Sequence, residues 1–92
     1  MQLRFSTFVE LRNYIHSTLC QLEHLELGAF PMTQQVLKRG ERLCGFLFSI
    51  HGPRSVVFNA VLETDRNAVH FYDSTGHRVQ TTSLGVMPPM CG

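Results

Sequence analysis

Residues 43–62 read LCGFLFSIHGPRSVVFNAVL, from Leu43 to Leu62, and this stretch decides the fold. Phe46, Phe48 and Ile50 precede the Gly52-Pro53 pair, and Val56, Phe58, Ala60 and Leu62 follow it. Phe, Val and Ile suit a pleated surface, and a period of two puts each set on one face of a strand. Pro53 has no N–H and a fixed φ, so it belongs at a turn. The stretch therefore predicts two strands joined at His51-Gly52-Pro53-Arg54. An odd-numbered loop keeps the two even-numbered sets on one face. A two-residue loop instead sets Ile50 opposite Ser55, and both registers stay open at this point. The other parity is not polar. It carries Leu43, Leu47, Val57 and Val61 among Gly45, Ser49, Asn59 and Glu63. A strand apolar on both faces is usually central, or one face meets something other than water.

Upstream, Thr7 to Leu25 predicts one amphipathic helix. Phe8, Leu11, Ile15, Leu19 and Leu22 recur at helical spacing. Thr7, with Glu10 three residues later, forms a capping-box pattern, and Gly28 is the expected stop. Such a helix is marginal alone in water and needs the aromatic face of the hairpin to cover its stripe.

Met32 to Lys38 is a weak strand signal, because Met32, Val36 and Leu37 do not alternate. Gly40 lies in the charged turn after it. Thr64-Asp65-Arg66-Asn67 reverses the chain, and Ala68 to Asp73 is a short strand. Ser74-Thr75-Gly76 fits a three-residue hairpin loop, and His77 to Ser83 is an edge strand. The expected architecture is α+β: one N-terminal amphipathic helix packed on an antiparallel meander sheet of four to five strands. Residues 1–84 form this single domain, and 85–92, with Pro88-Pro89, form a flexible C-terminal tail.

Composition narrows the function classes. The chain has 92 residues, 43% hydrophobic and 16% charged, which is the balance of a globular domain. A formal charge of +1 gives no strong pull toward nucleic acid or anionic membrane. No apolar run approaches the roughly 20 residues of a membrane span. Glu10 and Asn13 interrupt the apolar segment that a signal peptide requires. The expected location is the cytoplasm, and Cys20, Cys44 and Cys91, an odd number without paired spacing, are expected as reduced thiols.

At Cys44-Gly45-Phe46, His51-Gly52-Pro53-Arg54, Glu63-Thr64-Asp65-Arg66-Asn67 and Phe71 to Arg78, the chain resembles a group of short, uncharacterised bacterial proteins associated with planctomycetes. The resemblance runs from about the helix to Leu84. It implies no activity, cofactor or catalytic residue.

His51 and His70, joined by Asp73 and His77, are the conceivable metal ligands. No Cys-x-x-Cys, His-x-His or His-Glu-x-x-His spacing supports them, so no metal or other cofactor is assigned. Met87, Met90 and Cys91 are soft donors suited to Cu(I), but a loosely packed tail is the commoner explanation. Cys44 with His51 or His70 as base is a conceivable nucleophile, yet it lies in an apolar run where a free Cys is usually a small hydrophobe. No catalytic residue is assigned. Arg39, Arg42, Arg54, Arg66 and Arg78 fall in turns or at strand ends. Phe71 and Tyr72 can in principle stack bases, but no RRM-type aromatic motif is present.

The second sheet face is the most informative feature. Leu43, Leu47, Val57, Val61 and Tyr72 are exposed there if one helix covers only one side, and such a patch marks an interface or a groove. Met32, Val36, Leu37 or the tail folding over it, or curling of the sheet, would remove it. The leading expectation is a non-enzymatic module that homodimerises or binds a protein through this face. The alternative is a small-molecule or metal-binding protein using His51, Asn59, His70 and Tyr72. Single-stranded nucleic-acid binding ranks third.

Overall fold

The computed structural model describes residues 3–25 and 30–86. The elements are β1 (Leu3–Arg4), α1 (Phe8–Leu22), β2 (Met32–Arg39), β3 (Arg42–His51), β4 (Val57–Glu63), β5 (Ala68–Tyr72) and β6 (Arg78–Val86). A 3-10 turn, Pro53–Ser55, joins β3 to β4. β2 to β6 form a five-stranded antiparallel meander, and α1 packs on one face of it. This is the expected α+β architecture.

The central hairpin takes the odd-loop register. Ile50 pairs with Phe58, Phe48 with Ala60 and Phe46 with Leu62. Residues 52–56 make the connection, with Arg54 at φ 59° and Ser55 at φ 63°. The inner face therefore presents one apolar set, and Phe48, Ile50, Ala60, Leu62, Val69 and Phe71 are completely buried.

The helix matches its apolar stripe. Leu11, Ile15 and Leu19 are buried, while Phe8 and Leu22 pack partly buried against them. The Phe8 ring lies 5.0 Å from that of Phe46, and Tyr14 meets Phe71 edge-on at 6.3 Å. Tyr14 Oη and Thr82 Oγ1 are 3.0 Å apart, and Arg12 Nε donates to Gln34 Oε1 at 3.2 Å. These contacts tie α1 to β2 and to β6 across the inner face. Thr7 caps the helix by accepting from the Glu10 N–H at 3.2 Å.

The C-terminus of α1 differs from expectation. The helix ends at Leu22 and is closed by His24 (φ 56°), and Gly28 lies outside the described residues. Leu25 N–H bonds to Cys20 C=O at 2.8 Å and His24 N–H to Gln21 C=O at 3.4 Å. That is a Schellman closure with a non-glycine residue in the left-handed position. Since glycine occupies this region without a Cβ clash, His24→Gly is expected to raise stability by about 0.5–1 kcal/mol. A fall in the calorimetric melting temperature would contradict this.

The edges also depart from the expected arrangement. β6 does not end the sheet, because β1 pairs with it in parallel, Leu3 with Leu84 and Arg4 with Val86. A two-residue strand leaves no periodic trace in a sequence. β6 runs through Val86, beyond the expected domain end at 84. Residues 87–92, with the expected tail and the Met87, Met90 and Cys91 donors, lie outside the described residues. Cys20 and Cys44 are free thiols, and burial pushes the Cys20 thiol pKa up.

The β5–β6 hairpin is held by one carboxylate. Asp73 Oδ1 accepts from Thr75 N–H at 2.9 Å, His77 N–H at 3.0 Å and Thr75 Oγ1 at 2.7 Å. The Thr75 hydroxyl, followed by the His77 backbone N–H, holds this carboxyl below its ordinary value of 3.8. A depressed folded value means that the ionised form supports the fold above 3.8, and that the support fades as pH falls through the folded value. Asp73→Asn is expected to melt lower than wild type at neutral pH, with the gap closing in acid. Equal melting curves at neutral pH would exclude this role.

Candidate functional site

Regular pairing lays the outer face of the sheet out in rows. Gln35, Leu47, Val61, His70 and Thr81 stand in line across β2 to β6. The next row holds Thr33, Ser49, Asn59, Tyr72 and Arg78. On the other side lie Leu37, Gly45, Glu63, Ala68 and Ser83. Val57, paired with His51, completes the face at its far end. Leu37, Leu47, Val57, Val61 and Tyr72 are half-buried.

Four of the five expected interface residues, Leu47, Val57, Val61 and Tyr72, therefore share this face. Leu43 does not. A bulge leaves Cys44 unpaired, so that Leu37 faces Gly45 and Lys38 faces Leu43. The extra residue moves Leu43 to the opposite parity, where it packs against the core. Of the segments that could fold over the face, Met32 is in the core, Val36 is exposed on the helix side, and Leu37 lies on the outer face itself. Among the described residues, apolar side chains outside the strands, including Phe5, Phe8, Leu11, Tyr14, Ile15 and Val56, pack against the inner core.

A polar network interrupts the apolar face. His70, only 8% exposed, lies between β4 and β6. Its Nε2 is 2.5 Å from Glu63 Oε1 and its Nδ1 is 3.0 Å from Thr81 Oγ1. Arg78 Nη1 stands 3.5 Å from the same Nδ1, and Arg66 Nε is 3.6 Å from Glu63 Oε2. Guanidinium only donates, so its approach suits Nδ1 as the acceptor. In that arrangement Nε2–H donates to Glu63 and the Thr81 hydroxyl donates to Nδ1. One row away, Ser49 Oγ donates to Asn59 Oδ1 at 2.7 Å.

The Glu63–His70–Thr81 line has the distances of a carboxylate–imidazole–hydroxyl relay. Acyl transfer also needs N–H donors aimed at a developing oxyanion, and the backbone of β5 is committed to β4 on one side and β6 on the other. The line satisfies the hydrogen bonding of a buried imidazole, and it places ionisable groups inside an apolar surface.

The other expected constellations do not assemble. Two strand spacings and four residues separate His51 from His70, about 16 Å at standard sheet dimensions. His51, Asn59, His70 and Tyr72 all lie on the outer face, but His51 is too distant to share a site with His70. Asp73 and His77 meet through Thr75 at the hairpin tip. Among the described residues, no three His, Cys, Asp or Glu side chains converge as metal ligands. Cys44 and His51 lie seven residues apart on one strand, about 23 Å. Phe71 is completely buried, so it cannot stack on a base. Arg42 is paired with Asp65 at 2.7 Å, and Arg66 with Glu63.

No family model matches this chain, and neither a curated protein nor a solved structure does. The outer face of the sheet is the candidate site on its geometry. Sequence reading missed Glu63, Thr81 and Arg78 as partners of His70. The expected Ser74–Gly76 loop implies that His70 faces Gln80. A bulge at Val79 shifts the register by one, so that Tyr72 faces Arg78 while His70 faces Thr81. Among the described residues, no helix is long and apolar enough to cross a membrane.

Proposed function

We propose that this chain is a non-enzymatic interaction module that pairs with a second copy of itself through the outer sheet face, centred on Leu47, Val57, Val61 and Tyr72. The observation that carries this reading is the mismatch between one helix and a two-faced apolar sheet. α1 buries the inner face, and no described segment packs on the other.

The size of the face supports a second copy as occupant. Five strands about 4.8 Å apart and four residue rows about 6.8 Å apart outline on the order of 600 Å². Two such faces bury about 1,200 Å² together, the lower bound of a stable interface. Leu47, Val57, Val61 and Tyr72, interrupted by the His70 and Ser49–Asn59 hydrogen bonds, have Thr33, Gln35, Arg78 and Ser83 around them as a polar rim. Lys38 and Arg39 mark the free edge strand β2 and discourage edge pairing, which leaves the face as the route to association. The free thiols of Cys20 and Cys44 accord with a reducing compartment, and the reading places the protein in the cytoplasm.

Sedimentation of the purified chain across a wide concentration range tests the reading. A two-copy species that dissociates on dilution supports it. A monomer at every concentration removes it, and a monomer that pairs only with another protein replaces the second copy with that partner.

A further inference from the structure

We infer that the free edge of β2 is a docking site for an extended acidic segment of another protein, which adds to the sheet as a further strand. This surface is separate from the outer face, and the inference holds whether or not two copies pair there.

The backbone directions come first. Thr64 N–H donates to Cys44 C=O, and Gly52 N–H donates to Val56 C=O. The even-numbered residues of β3 therefore turn their backbone groups toward β4. The odd-numbered Gly45, Leu47 and Ser49 turn theirs toward Leu37, Gln35 and Thr33 of β2. The N–H and C=O of Gln34 and Val36 are left pointing away from the sheet. Arg12 shows the same parity, since its Nη2 reaches Met32 C=O from outside the ladder at 3.4 Å. β1 covers β6 at the other end of the sheet, whereas among the described residues no strand covers β2. β2 is eight residues long and contains no proline, so the only blunting device along it is the Lys38-Arg39 pair at its end.

Side chains supply the chemistry. Val36 is 46% exposed on the helix side of this edge. Val9, 64% exposed, lies one turn before Arg12, on the flank of α1 that meets β2. Lys38 pairs with Leu43, which packs on the core, so Lys38 shares the face of Val36 and Arg39 takes the other. Of the charges nearby, Glu41 follows in the turn and Arg42 is held by Asp65. Glu10 is about 200° around α1 from Arg12 and so faces away from β2. An antiparallel strand laid from Arg39 to Gln34 therefore meets a cation on each face and then Val36. Its matching sequence is two acidic residues, a spacer and an apolar residue. A second copy of β2 does not supply this. Centred on Val36, it sets Gln34 opposite Lys38 and Thr33 opposite Arg39. The cations that discourage pairing between copies thus select an acidic strand. Exposed ion pairs add little affinity, so the backbone ladder and the contact at Val36 hold the segment and the charges choose it.

The probe is the capped peptide GEETVTQG, with GKKTVTQG as its control. NMR titration of the isotope-labelled full chain should show saturable binding of the first, weakening as salt rises. Amide exchange should slow at Gln34 and Val36 and stay unchanged at Gln35 and Leu37, which already bond to β3. The lysine peptide should bind about tenfold more weakly. Lys38→Glu combined with Arg39→Glu should reverse that preference. Val36→Pro should keep the wild-type circular dichroism, because this N–H bonds nothing within the sheet, and should lose peptide binding. No saturable binding, or binding that leaves exchange at Gln34 and Val36 unchanged, overturns the inference. Equal binding of the two peptides before and after the charge swap overturns the acidic partner. Exchange at Gln34 and Val36 that slows with protein concentration alone makes a second copy the occupant and overturns the inference as well.

Discussion

Gly45→Ala is expected to cost more than about 3 kcal/mol, a large share of the roughly 5–10 kcal/mol available to a domain of this size. A Cβ built on Gly45 would stand 1.9 Å from the Leu62 carbonyl oxygen and 3.1 Å from its carbon. Both are backbone atoms of β4, which is paired on one side with β3 and on the other with β5. No rotamer change relieves the clash, so β3 and β4 must separate at this end of their ladder. There Thr64 closes the ladder, donating from both its N–H and its Oγ1 to Cys44 C=O, at 3.1 and 2.9 Å. The constraint at Gly45 is space rather than conformation. Gly40 and Gly76 show the converse, with φ of 65° and 89° and nothing within 4 Å of an added Cβ. Alanine at those two positions should cost only about 1–2 kcal/mol, the strain of a left-handed residue. Urea unfolding followed by circular dichroism separates the cases. A loss below about 1 kcal/mol at Gly45 would show that the hairpin yields more easily than its pairing implies.

The hairpin was legible because its inner set alternates without a break from Phe46 to Ile50 and from Phe58 to Leu62. The helix was legible because its stripe and its Thr7 cap are local features. β2 gave a weak signal for a physical reason. It is an edge strand in which only Met32 is buried, so burial imposes no alternation on the residues after it. The end of α1 was misplaced because His24 adopts a conformation that normally selects glycine, and composition pointed to Gly28.

The outer face was legible by parity up to the point where parity fails. The Cys44 bulge returned Leu43 to the core, and the Val79 bulge set Thr81 beside His70. A bulge adds one residue with no composition of its own, and one residue is enough to reverse a face. Glu63 was visible in the outer set from the start. Its bond to His70 was not, because that bond depends on the register across the Thr64–Asn67 reversal.

Val61→Asp is expected to yield a folded monomer, with a dimer dissociation constant raised at least about 100-fold. Two-fold pairing through the face sets two new carboxylates in a desolvated centre, and an unpaired buried charge costs several kcal/mol. Each 1.4 kcal/mol is a factor of ten in affinity, so the stated loss is a lower bound. The single copy tolerates the change better. Val61 is half-buried, and the core behind it is built from Ala60 and Leu62 of opposite parity. The expected cost to folding is about 1 kcal/mol, the loss of a β-branched residue from a strand. Val36→Asp supplies the contrast. Val36 is 46% exposed on the helix side of β2, so aspartate there should leave the dimer unchanged. Sedimentation together with circular dichroism then discriminates the faces. If Val61→Asp sediments like wild type, the outer face is not where copies meet. If Val36→Asp dissociates the dimer and Val61→Asp does not, association belongs to the open edge beside α1, and the apolar rows of the outer face require a different occupant.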